Sequence, residues 1–169
     1  MRGRKRFGLA LLAALCLFPT AALATAQFPD ALILDGRTEM LFSNPLEAHP
    51  EIKRIDPYIR FERYNTACWR RYIALWEVEK DRLYLKEIRA CEGDKKADLR
   101  KVFPETFWQG RVPADWVTGK LRVPQGKQLR YVHGGYASTY ERDVILTIEK
   151  GRVVRRETIQ NKLPADGRE

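Results

Sequence analysis

The stretch CWRRYIALWEVEKDRLYLKEIRAC, residues 68–91, sets the fold class. Its first half alternates, with Tyr72, Ala74, Trp76 and Val78 on one side and Arg71, Ile73, Leu75 and Glu77 on the other. In its second half Leu83 and Leu85 run opposite in phase to Tyr84 and Ile88. A period of two in aromatic and branched residues reads as a pair of strands. Lys80-Asp81 supplies the turn. If that turn has two residues, Trp76 faces Leu85 and Val78 faces Leu83. Trp76 then belongs to the core, and Trp69 to the more charged face.

The same register puts Cys68 and Cys91 on the apolar face as a diagonal pair. Diagonal Cβ atoms lie about 7 Å apart, and a disulfide needs about 3.8 Å. A bulge or a different turn must therefore draw the two together. Bridging them would stabilise the fold by about 3 kcal/mol in the chain-entropy picture. The alternative is two buried free thiols.

The N-terminus supplies the redox context. MRGRKRFG carries Arg2, Arg4, Lys5 and Arg6 with no acid, and an uncharged apolar run ends in Ala24-Thr25-Ala26. This is the charged, apolar and small-residue order of a secretory leader, so residues 1–26 are expected to be cleaved and the mature chain to begin at Gln27. Pro19 and Thr20 interrupt the run, against an uncleaved anchor, which needs roughly 20 apolar residues. Cys16 lies inside the apolar run behind Leu15, unlike an acylation site. Only Cys68 and Cys91 then remain, and an even count in an exported chain reads as a disulfide. The location expected is the periplasm or the cell exterior.

Leader loss also changes the charge. Of 31 basic residues four depart, leaving 27 against 22 acidic ones, a net of +5 in place of +9. That is ordinary for a soluble domain and removes the electrostatic argument for nucleic-acid binding. No membrane span is expected after cleavage. Residues 27–169 suit one β-rich domain.

Turn signals divide the rest. Asp35-Gly36 sits between ALIL and RTEMLF, a hairpin. NPLEAHPEIKRIDPYI, with three prolines, reads as loop with a helical turn around Leu46 to His49. A short helix is expected over Asp98–Val102, stopped by Pro104. WVTGKLRVP alternates with Val117, Leu121 and Val123 inward and ends at Pro124 and Gly126. Val144, Leu146 and Ile148 point inward in a last hairpin turning at Lys150-Gly151. The expectation is an all-β domain, an antiparallel β-sandwich or open barrel of about seven to nine strands with at most one or two short helices.

Chemistry-bearing residues concentrate in YVHGGYASTYE, residues 131–141. His133, Ser138 and Glu141 have the types of a base, a nucleophile and an orienting acid, but geometry defines such a site. The recognition reading takes Tyr131, His133, Tyr136 and Tyr140 as an aromatic loop flanked by Trp108 and Trp116, since tyrosine offers contact area with a polar tip. On that reading, replacing His133 and Tyr136 weakens partner capture and leaves the melting temperature nearly unchanged. A third reading is a glycine bulge with tyrosines at the rim of the core. Arg71, Glu77 and Glu79 form a second candidate surface on the charged face of the long hairpin.

His49 and His133 stand in no ligand spacing, and nucleotide-loop and nucleophile-elbow motifs are missing, so neither a metal nor a cofactor is expected. The functional expectation is an exported, non-catalytic binding or accessory protein, inhibitor-like in character, that recognises an envelope protein through the 131–141 loop. The alternatives are a small envelope-polymer hydrolase using His133 and Glu141, and a carbohydrate- or peptidoglycan-binding module.

Overall fold

A computed structural model describes residues 26–62 and 65–162. Residues 1–25 of the expected leader, Cys16 among them, and the tail after Lys162 lie outside the described residues. Eight strands follow in chain order: β1 (Asp30–Leu34), β2 (Arg37–Leu41), β3 (Ile73–Glu79), β4 (Arg82–Arg89), β5 (Val112–Pro113), β6 (Gly119–Arg130), β7 (Thr139–Glu149) and β8 (Arg152–Gln160). Two short α-helices, α1 (Ile52–Ile59) and α2 (Leu99–Val102), and 3-10 turns at Pro45–Ala48 and Thr66–Cys68 accompany them.

The strands form one sheet in the order β2-β1-β3-β4-β8-β7-β6, with β5 added to β4. Its two ends meet. The Phe42 N–H, just past β2, donates to the Arg122 carbonyl of β6 at 2.8 Å, and the Arg122 N–H donates to Ser43 Oγ at 3.1 Å. The sheet is thus an open barrel, and within its path the β4–β8 seam is narrow, registered only at Arg82 and Arg152. Leu32, Trp76, Leu85, Val123 and Leu146 fill the interior. The all-β class therefore holds, with one departure: β1 and β3 pair in parallel, Leu32 beside Trp76.

Three hairpins share one turn chemistry. Asp35-Gly36, Lys80-Asp81 and Lys150-Gly151 all have positive φ at both residues. Such turns match the twist of the flanking strands. Gly151 is additionally required by space, because a Cβ there would sit 2.8 Å from the Ala114 carbonyl.

In the β3–β4 hairpin Trp76 faces Leu85 and Val78 faces Leu83, as the alternation requires. A bulge between Leu75 and Trp76 then shifts the register, so Ala74 faces Ile88. Beyond it a 3-10 turn at Thr66–Cys68 and a left-handed Arg71 (φ 65°) fold the chain back. Cys68 and Cys91 are joined in a disulfide with their Cα atoms 6.3 Å apart.

Two local expectations need correction. The proline-containing 52–59 segment is an α-helix, not loop. Ile55 and Ile59 are buried and Ile52 packs on the core, so one helical face outweighs the cost of Pro57 near the helix end. Strand β6 does not stop at Pro124 but continues to Arg130, because Pro124 sits opposite Asp143 and a register shift at Gln125–Gln128 absorbs Gly126.

A candidate binding rim and the buried network behind it

The 131–141 loop is pinned from behind by two arginines. Arg122 on β6 donates from Nε to Asp143 at 2.9 Å, from Nη1 to the Tyr136 carbonyl at 2.8 Å and from Nη2 to the Ser138 carbonyl at 3.0 Å. Its guanidinium also lies over the Phe42 ring. The Tyr136 ring stacks on the same Phe42 ring, at 5.0 Å between centroids.

The second arginine is Arg70, 1% exposed. It donates to Asp30 at 3.2 Å, to the Phe28 carbonyl at 3.0 Å and to the Tyr136 hydroxyl at 2.8 Å. The Tyr136 hydroxyl in turn donates to Asn44 Oδ1 at 2.8 Å. Asp30, equally buried, also accepts from the Ala74 N–H and the Trp76 indole N–H, both at 3.1 Å. Burial raises the Asp30 carboxyl to about 6, partly offset by the charge of Arg70. Burial likewise raises the Tyr136 phenol. A buried pair of this kind is costly to break, because one charge is left without its partner.

Each expected loop residue now has a place. Tyr136 points inward, into the Arg70 network. Tyr140 packs edge-on against Phe42 and donates to Gln128 at 3.2 Å. Tyr131 and His133 stay outside, in an edge contact at 4.7 Å between centroids.

Ser138 is buried, and its Oγ accepts from the Val132 N–H at 3.0 Å, closing the loop on itself. Glu141 accepts from the Lys127 N–H at 2.9 Å and fills the space beside Gly126, where φ is +81° and a Cβ would collide with the carboxylate. The hydrogen bonds of His133, Ser138 and Glu141 thus run to three different places.

Trp116 contacts a different cluster. Its indole N–H donates to the Pro45 carbonyl at 3.1 Å, and its ring meets His49, Phe103 and Trp76. Trp108 is exposed in the turn that leads to β5, bridged to Arg111. The charged hairpin face also differs from expectation. Glu77 and Glu79 are gripped by Arg111, at 2.9 and 2.5 Å, while Arg71 lies before β3. Arg111 stacks over Tyr84 at 3.8 Å.

The N-terminal segment completes the rim. The Gln27 N–H donates to the Gly135 carbonyl at 3.3 Å, and the Phe28 N–H to the Ala67 carbonyl at 2.7 Å. The segments 26–28, 66–69 and 131–135 are therefore laced together. They carry Phe28, Trp69 and Tyr131, which are 38%, 53% and 55% exposed. Sequence patterning singles out Tyr131 but not Phe28 or Trp69, whose segments are joined to the loop only by backbone bonds that the fold supplies.

Among the described residues there is no group of three His, Cys, Asp or Glu side chains placed to hold a metal ion, and no helix long and apolar enough to cross a membrane. No family model, curated protein or solved structure matches this chain. Its function must be read from its own residues.

Proposed function

We propose that this chain is an exported, non-catalytic binding protein of the bacterial envelope, and that it holds a protein partner with the rim of Phe28, Trp69 and Tyr131. The reading is carried by one observation: three exposed aromatic side chains on three hydrogen-bonded segments, backed by a buried ionic network. Large aromatic side chains exposed together are characteristic of interaction sites and supply most of the binding energy there. A rigid backing lowers the entropic cost of ordering them on binding. The disulfide is compatible with export. The hydrolase alternative draws no comparable support, since the Glu141 carboxylate is committed to the Lys127 N–H.

A photo-crosslinking residue in place of Tyr131, read in cells by mass spectrometry of the envelope fraction, tests this. One dominant protein adduct is expected, reduced at least about tenfold by Trp69→Ala and lost when the crosslinker stands instead at Lys101 on α2. Equal adducts from both positions would sink the proposal. Adducts with glycan alone would replace it with the carbohydrate-binding reading.

A further inference from the structure

Among the described residues, strand β8 is paired with β7 along one edge and with β4 only at the start of the other. Arg82 and Arg152 are the first residues of β4 and β8 and pair antiparallel. From that point the two strands run in opposite directions. The bonds across this seam end with the Val153 N–H on the Asp81 carbonyl, at 2.9 Å. From Arg155 to Gln160, β8 is registered with β7 on one side and, among the described residues, has no backbone partner on the other.

Short length, proline, bulges and charged side chains are the usual ways in which an edge is kept from pairing. β8 is 9 residues long and lacks proline; after an irregularity at Val154 its register against β7 is unbroken from Arg155 to Gln160, so charge is the main device it carries. It also exposes Val154 and Ile159, at 52% and 51%.

The chemistry of the strand selects an occupant. Arg152, Arg155 and Arg156 stand against Glu157 alone, a net of +2. Arg155 pairs with Glu157 at 2.8 Å and Arg156 with Asp35 at 2.7 Å, both on the surface, where such pairs are weak and exchangeable. A second copy complements this edge poorly. Two-fold antiparallel pairing sets one residue opposite itself, so centres at Arg155, Arg156 or Glu157 oppose like charges. A centre at Thr158 puts Glu157 against Ile159 and leaves Arg156 facing Gln160.

We propose that the free edge of β8 accepts an extended, acidic segment of another protein, in which glutamate or aspartate alternates with branched apolar residues. Main-chain bonds to β8 supply the attachment, and the arginines with Val154 and Ile159 supply the selectivity. This surface is separate from the aromatic rim and does not depend on it.

Amide hydrogen exchange of the purified chain tests the proposal, with a capped heptapeptide of alternating glutamate and valine as the probe and its lysine counterpart as the control. Alternate amides between Val154 and Gln160 should gain protection with the acidic peptide, which should bind at least about tenfold tighter than the basic one. The double variant Arg155→Glu with Arg156→Glu, checked for folding by circular dichroism, should reverse that preference. Three outcomes would overturn the proposal: no added protection from either peptide, equal protection from both, or protection that rises with protein concentration alone. The last would assign the edge to a second copy.

Discussion

Arg70 Nη1 donates to the Tyr136 hydroxyl at 2.8 Å, across 66 residues of sequence. The bond ties the glycine-rich loop to the barrel end and divides the loop's tyrosines into two kinds. Tyr136 holds the loop, and Tyr131 faces outward. A single substitution experiment on the loop therefore has two outcomes, depending on the ring removed.

Tyr136→Phe keeps the stack on Phe42 but takes a partner from a buried guanidinium, and should cost about 1–3 kcal/mol in urea unfolding. Tyr136→Ala loses the ring as well and should cost about 3–5 kcal/mol. Tyr131→Ala should stay within about 0.5 kcal/mol of the parent. For Tyr136 these contacts predict a stability cost in place of the nearly constant melting temperature expected from the sequence; for His133, which is exposed, a nearly constant melting temperature remains the prediction.

Arg122 should act on the loop without acting on the rim directly. Arg122→Lys keeps a charge but loses the fork that reaches Asp143, Tyr136 and Ser138 together. Amides at Val132 and Ala137 should exchange faster, with β3 and β4 amides unchanged. Uniformly faster exchange would mean that Arg122 supports the whole barrel.

Asp30 should titrate far above a free carboxyl. Its folded value near 6 exceeds the ordinary 3.8, so the folded chain holds the extra proton between those values. This group's contribution is greatest at low pH and falls as pH rises from about 4 to 6. Carbon-13 detection of the Asp30 carboxyl should place its midpoint near 6. A midpoint near 4 would show that Arg70 outweighs burial. Asp30→Asn should remove the transition.

His49 should give the opposite slope. Its ring is wedged between Phe103 and Trp116, and its Nδ1 accepts from the Glu51 N–H at 3.1 Å. Burial lowers its pKa below the ordinary 6.5. The unfolded chain therefore binds the proton first, and stability is lost as pH falls below about 6.5 through the folded value. His49→Gln should flatten that loss, measured as the difference in urea midpoints across the window.

Cys68→Ser with Cys91→Ser should cost about 3 kcal/mol for a closed loop of 23 residues. The fastest added exchange is expected at residues 66–71, where the 3-10 turn and the left-handed Arg71 depend on the tether. If reduction leaves the urea midpoint unchanged, the strand pairing alone holds this corner.

The β3–β4 register is legible because alternation fixes facing partners once a turn is placed, and Trp76 opposite Leu85 follows from Lys80-Asp81 alone. The distance problem that the cysteines pose is answered before β3, where the 3-10 turn at Thr66–Cys68 and the left-handed Arg71 fold Cys68 back toward Cys91. The parallel pairing of β1 with β3 is not legible, since a period of two carries no strand direction. Helix α1 hides behind its prolines, although Ile52, Ile55 and Ile59 are spaced for one helical face. Arg70 is the largest omission. An arginine in a polar run reads as surface, and only the fold supplies the carboxylate, carbonyl and phenol that let it be buried.

The parallel placement of β1 has a kinetic consequence. Hairpins β3–β4 and β7–β8 close over turns of two residues and need little loop entropy. Strand β1 is made early by the ribosome yet cannot dock beside β3 until about 40 intervening residues have ordered. Until it does, the Trp76 indole N–H and the Arg70 guanidinium lack the Asp30 carboxylate that satisfies both. The β1–β2 hairpin thus forms locally over Asp35-Gly36, and its docking beside β3 is the step that completes the buried ion pair.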